Sequence, residues 1–114
     1  MSFPRRGELY WVSLDPTRGT EIAKTRPGLI VSNDIGNEYS SRVTVAPLTS
    51  SQTDRVFPFE VVASAGEGGL HEVSKVVLDQ IRTLDKQRLG RRIGALSAER
   101  MREIDRAIRL SLAV

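Results

Sequence analysis

The 114-residue sequence predicts a mainly β fold with one C-terminal helix (α+β), arranged as a small, strongly bent β-barrel. Three observations lead there. Short runs of branched and aromatic residues, several alternating polar with apolar, recur between residues 7 and 95 with turn-forming residues between them. A single helical pattern stands at the end of the chain, and strands do not alternate with helices as a parallel α/β sheet requires.

Gly7 to Leu14 is rich in aromatic and branched residues and runs into Asp15-Pro16, a strand entering a turn. Thr17 to Thr25 reads as loop. Pro27 to Ser32 is a second strand, opened by a proline that has no N–H for a ladder and so belongs at a strand start or edge. Asn33-Asp34 and Gly36-Asn37 punctuate it. Arg42 to Pro47 and Phe57 to Val62 alternate as half-buried strands do. Ala63 to Gly69 is a mobile loop by composition, Ser74 to Ile81 resumes strand character, and a last short strand is expected within Arg91 to Ala95. Ser97 is placed as the N-cap of a helix over Ala98 to Leu112, with Glu99 in its first turn. Met101, Ile104, Ile108 and Leu112 fall on one face, which packs on the barrel or on a partner. With no repeat or linker visible, residues 1–114 read as one domain.

Hydrophobic residues make up 39% and charged residues 27%, a balance that excludes a disordered tail or a collagen-like repeat. No apolar run reaches the roughly 18–20 residues that span a bilayer, and Met1 to Arg6 lead straight into a strand pattern, so a cytoplasmic location is expected. The absence of cysteine removes disulfides, thiolate catalysis and thiolate metal sites together. A net charge of +3 suits a polyanionic partner. That excess is C-terminal: Arg82 to Arg109 holds nine Arg/Lys against four Asp/Glu.

A metal centre is not expected from one histidine, His71, and no clustered ligands. The glycines at 66, 68 and 69 lack the Lys-Ser/Thr of a phosphate-gripping P-loop. His71 has the chemistry of a general base but stands beside a glycine-rich loop without an implied acidic partner, and reads as a surface histidine. Tyr10 and Trp11 carry stacking surfaces; as neighbours on a strand they face opposite ways, and core packing is the simpler reading of both. The distinctive segment is Gly19 to Pro27, in which Pro27 holds Arg26 at a strand mouth. A guanidinium there can grip two phosphate oxygens, and the Thr49 hydroxyl from a neighbouring strand end adds a further hydrogen bond, a phosphate site without metal. Taken singly, an Arg or a Thr is more often a solvated surface residue, and the set taken together leaves both readings open.

Arg6 to Val12, Asp15 to Glu21, Lys24 to Pro27 and Leu29 to Asp34, then Val45 to Thr49, Phe57 to Val61 and Leu78 to Leu89, resemble the MazF/PemK toxins of type II toxin-antitoxin systems in order and spacing. Two positions depart from the family pattern: Gly28 stands where a larger apolar residue is usual, and Ile22 where Gln is frequent. The resemblance implies an SH3-like barrel of the MazF/CcdB type and a sequence-specific, metal-independent endoribonuclease without cofactor. In that reaction a 2′-hydroxyl of single-stranded RNA attacks the adjacent phosphate, leaving a 2′,3′-cyclic phosphate and a 5′-hydroxyl.

The same resemblance implies Arg26 and Thr49 as the catalytic pair. Arginine suits charge stabilisation, but it keeps its proton far above neutrality and makes a poor base. Glu21 is therefore the expected auxiliary base or, equally, the carboxylate that orients Arg26. Lys24, Asn33, Ser74 and Gln80 correspond to positions at the RNA groove, where polar groups read unpaired bases; Asn33, Ser74 and Gln80 have turn or strand-end capping as their alternative. The implied partners are single-stranded RNA, a second copy of the chain in a homodimer, and a MazE-like cognate antitoxin with an acidic C-terminal segment, with no membrane. CcdB-type gyrase poisons use the same fold to bind protein, and a non-catalytic SH3-like nucleic-acid module is a third reading; Arg26 with Thr49 favours the nuclease.

Overall fold

The computed structural model describes residues 2–114. It contains seven strands, β1 (Glu8–Ser13), β2 (Thr25–Ile30), β3 (Arg42–Thr49), β4 (Glu60–Ala63), β5 (Ser74–Val77), β6 (Arg82–Asp85) and β7 (Leu89–Ala95), with helices α1 (Asp34–Tyr39) and α2 (Ala98–Leu112). Short 3-10 turns lie at Glu67–Gly69, Leu78–Gln80 and Lys86–Arg88.

The strands are antiparallel in the order β4-β5-β3-β2-β1-β7, with β6 also on β3. β3 is the organising strand. Arg42 to Val45 pair with β6, whereas Leu48 and Thr49 pair with β5, so two strands share one side of β3 and the sheet bends where they part. Each face then has its own core, as the period of two demands. Leu9, Leu29, Ala46, Leu48 and Val76 join Ile104 and Ala107 of α2 on one face; Val12, Leu14, Ile30, Val43, Val45 and Leu84 form the other.

The mainly β architecture with its terminal helix is the one expected. Closure differs: among the described residues β4 and β7 end the sheet unpaired with each other. The gap is filled instead by the turn Glu67–Gly69, so close to β7 that a Cβ on Gly94 would lie 2.1 Å from the Gly68 carbonyl oxygen. This segment, expected to be mobile from its glycines, is also clamped by Glu67, whose carboxylate accepts from Arg100 Nε and Nη2 at 2.6 and 2.8 Å.

α1 was not expected. Asn33 caps it by accepting from the Gly36 N–H at 2.7 Å, and fully buried Asn37 donates to the Ser32 carbonyl at 2.9 Å, so residues that read as turn punctuation build a short helix. The strand expected from Phe57 begins only at Glu60, because the Phe57 carbonyl accepts from the Glu60 N–H in a turn. The run from Ser74 breaks at Leu78 into a 3-10 turn, which releases β6. α2 has the expected bounds, with Ser97 Oγ accepting from the Arg100 N–H at 3.1 Å. Its face packs on the chain's own sheet through Ile104 and Ala107, while Leu112 is 57% exposed. No described helix is long and apolar enough to cross a membrane.

Candidate active site

The loop between β1 and β2 is tied at its base. Asp15 accepts from the Lys24 N–H at 3.1 Å, the Lys24 carbonyl accepts from the Leu14 N–H at 2.9 Å, and Lys24 takes a left-handed backbone (φ 69°) that turns the chain into β2. Its ammonium-bearing side chain is left exposed. Two residues on, half-buried Arg26 stands opposite Val12. Its Nε donates to the Ala23 carbonyl at 3.2 Å, which fixes the plane of the guanidinium. Arg6, Arg92 and Arg100 are ion-paired; among the described residues no carboxylate pairs with Arg26.

Thr49 lies on the neighbouring strand. β2 and β3 pair as Gly28↔Pro47, Leu29↔Ala46 and Ile30↔Val45; the ladder ends there, and Arg26 and Thr49 each stand two residues beyond its last pair. The two belong to one face: Gly28 abuts Val12 and Val45, and Arg26 and Thr49 are the next residues in phase along their strands. Thr49 Oγ1 accepts from the Ser51 N–H at 3.1 Å, so its own proton is directed elsewhere. Beneath the following loop, the nearly buried pair Lys75–Glu60 (3.1 Å, each side chain 7% exposed) holds the segment that leaves Thr49, with Lys75 Nζ also donating to the Arg55 carbonyl at 2.9 Å. Lys75 is itself the strand partner of Thr49.

On this face Pro47, Thr20, Glu21, Ile22, Asp79, Gln80, Ile81 and Arg82 line a hollow of about 440 Å³. Gln80 Oε1 accepts from the Ile22 N–H at 2.7 Å, joining the first loop to the Leu78–Gln80 turn and leaving the amide NH₂ as a donor. Glu21 shares the hollow but does not orient Arg26: its Oε1 accepts from the Arg18 N–H at 2.6 Å. The two tasks considered for Glu21 thus separate, and the orienting contact belongs to the Ala23 carbonyl.

A second, smaller pocket of about 130 Å³ opens on the other side of β2. Trp11, Pro27, Leu48, Leu70 and Ile93 give it apolar walls; Thr25, Arg26, Ser50, His71, Glu72 and Ser74 give it polar ones. Ser74, almost fully buried, donates from Oγ to the Glu72 carbonyl at 3.1 Å. Tyr10 and Trp11 do face opposite ways, Tyr10 packing with the Val12 core and Trp11 lining the pocket. His71 is exposed as expected, yet it stands at the pocket's edge, a placement that only the fold reveals. Asn33 is not part of either hollow: it follows the far end of β2 from Arg26 and serves as the α1 cap. Among the described residues no three His, Asp or Glu side chains converge as metal ligands would.

Residues 5–112 match the model of a family described as PemK-like, MazF-like toxin of type II toxin-antitoxin system. The chain is 42% identical over 113 residues, covering 95% of both sequences, to the endoribonuclease MazF9 of Mycobacterium tuberculosis. The crystal structure of MazF from Deinococcus radiodurans is similar over the full length of both chains (TM-score 0.84, 27% identity). A mycobacterial endoribonuclease in complex with its cognate antitoxin is similar with TM-score 0.81 and 28% identity, over 97% of this chain and 96% of that one.

Proposed function

Because the chain belongs to the PemK-like, MazF-like family of type II toxins, we propose that it is a sequence-specific endoribonuclease whose cut is made on single-stranded RNA at Arg26 and Thr49. One observation supports the site assignment: Arg26, which pairs with no carboxylate among the described residues, and the Thr49 hydroxyl each lie two residues beyond the last β2–β3 pair, Gly28↔Pro47, on the face where Pro47 lines a polar hollow. The RNA's 2′-oxygen loses its proton and bonds to phosphorus, the P–O5′ bond breaks, the departing O5′ takes a proton from solvent water, and a 2′,3′-cyclic phosphate and a 5′-hydroxyl result. Negative charge grows on the phosphoryl oxygens in the transition state, where the Arg26 guanidinium and the Thr49 hydroxyl donate. Glu21, in the same hollow and with one carboxylate oxygen outside its turn, takes the 2′-hydroxyl proton directly or through a water. Lys24 adds an exposed cation beside the phosphate path, and Ser74 and Gln80 contact bases.

No metal or cofactor takes part in this scheme. The protein acts in the cytoplasm as a homodimer, and an antitoxin with an acidic segment silences it by occupying the same cationic groove. The test is cleavage of an unstructured RNA in excess EDTA. The wild-type chain cuts, and Arg26→Ala lowers kcat by about 10²–10³-fold or more, the loss seen when one transition-state donor is removed. Arg26→Lys, which keeps the charge and loses the fork, is expected to fall nearly as far. Dependence on added divalent cation, or full activity in Arg26→Ala, would sink the scheme.

A further inference from the structure

Arg26 lines one hollow and lies near a second. It borders the Trp11 pocket, while its position along β2 is in phase with the face that carries Pro47, Thr49 and the Glu21–Gln80 hollow. A phosphate held there has room on either side. We infer that the two hollows receive the two nucleosides flanking the scissile phosphate, with a pyrimidine base in the Trp11 pocket and its neighbour in the Glu21–Gln80 hollow; this rests on the ribonuclease reading above.

Size and chemistry support the division. At about 130 Å³ the Trp11 pocket is comparable to apolar cavities of about 150 Å³ that take up benzene, so a six-membered ring fills it, while a purine, larger by a fused ring, extends past its open mouth. Trp11 supplies a stacking surface and Leu48, Leu70 and Ile93 the apolar enclosure. Its polar edge suits a base: Ser74 directs its proton to the Glu72 carbonyl, so its lone pairs are left to accept an N–H, while the His71 imidazole and Thr25 hydroxyl stand beside it. The larger hollow, about 440 Å³ and polar, offers the Gln80 amide NH₂ and accommodates either ring size. In-line attack requires the nucleosides on the two sides of the phosphate to be splayed apart, and two separate hollows, one walled by β2 and the other by Pro47 of β3 and the Leu78–Gln80 turn, suit that arrangement.

The experiment maps cut sites by sequencing on single-stranded RNA with randomised positions, using the full chain. The wild type is expected to prefer a pyrimidine at one position adjoining the cut by about ten-fold, the size of one stacked base. Trp11→Ala flattens that preference and leaves the other adjoining position unchanged; Gln80→Ala does the converse. Because Trp11 also packs against its surroundings, His71→Ala and Ser74→Ala at the pocket's edge are measured alongside and should perturb the same position as Trp11→Ala. The proposal is overturned if the wild type discriminates at neither position or if the Trp11 and Gln80 variants alter the same one. It is equally overturned if the Trp11-pocket variants leave base preference intact, as a pocket reserved for a protein partner would. A wild type that cuts no RNA, or an Arg26→Ala variant that cuts normally, removes the underlying reading instead.

Discussion

At the scale of single residues, Gly28 carries structural information that the sequence alone does not explain. A Cβ built on Gly28 would lie 2.7 Å from Cγ2 of Val12, a fully buried side chain packed in the second core. β1 and β2 therefore approach more closely here than a side chain allows, two residues from Arg26 and at the last ladder pair before Thr49. Gly28→Ala must displace the Val12 methyl or the strand that carries it, whereas Val45 at 3.8 Å is in ordinary contact. The expected cost is about 1–3 kcal/mol of overpacking, read as a lower urea midpoint at unchanged slope. RNA cleavage by the folded variant should fall as well, because β2 is displaced against β3. A variant as stable as the parent would show that the strand spacing is adjustable. Arg26 and Thr49 are legible as residue types, and the β2–β3 pairing whose end they flank is not; Glu21 is legible as a carboxylate near Arg26, while its engagement with the Arg18 N–H is a fact of loop geometry.

Among the elements, those read correctly are the ones whose signal is local. Hydrophobic alternation and branched residues locate β1 and β3, and a Ser97 cap followed by a helical stripe locates α2 with its bounds. α1 has no local signature, because Asn33 and Asn37 have the composition of a turn; what makes them a helix is the cap at Gly36 and a buried amide answered by Ser32. β6 has none either, because its partner is the distant first half of β3. The Glu67–Gly69 turn is the sharpest case, since its glycines suggest motion while Glu67 binds Arg100 of α2 through two hydrogen bonds and Arg100 also reaches Glu103 at 2.7 Å. The Arg100 hydrogen bonds hold the Glu67 carboxyl below its ordinary 4.5 against the opposing effect of burial. A lowered folded-state value means the stabilisation is complete above about pH 4.5 and is lost as pH falls through the folded-state value. Thermal midpoints measured from about pH 6 down to about pH 3 should therefore drop less steeply in Glu67→Gln than in the wild type. Some acid sensitivity persists in that variant: although burial raises it, the Arg5 N–H, Arg92 and Tyr10 bring Glu8 below its ordinary value too. Identical slopes in the two proteins would show that the clamp contributes no linkage.

For the molecule as a whole, the sheet's open end matters because the same turn closes the fold and shapes the Trp11 pocket. β4 and β7 do not pair, and the chain fills the gap with Glu67–Gly69, whose backbone touches β7 at Gly94; Gly69 and Leu70 then continue into the pocket wall beside His71 and Ile93. Closure of this kind is invisible to strand periodicity, which predicts a ladder wherever a barrel is expected. It depends on the absence of side chains on both partners: a Cβ on Gly69 would lie 2.5 Å from the Ile93 carbonyl oxygen, and Gly94 is tighter still. On Gly94 a Cβ would meet the Gly68 carbonyl oxygen at 2.1 Å and its carbon at 2.6 Å, both backbone atoms of a turn already in left-handed conformation at Gly68 (φ 59°) and Gly69 (φ 84°). Neither partner can yield by changing rotamer, so Gly94→Ala must push the turn off β7. The clamp at Arg100 then has to stretch or break. The expected result is a loss of at least about 1–3 kcal/mol in global stability. Amide hydrogen exchange should accelerate at Gly69 and Leu70, with the β1–β2 ladder keeping its protection in the folded fraction. Because the pocket wall moves while Arg26 and Thr49 do not, such a variant should still cut RNA with altered base preference. Unchanged exchange in the turn would show that β7 stands without its support.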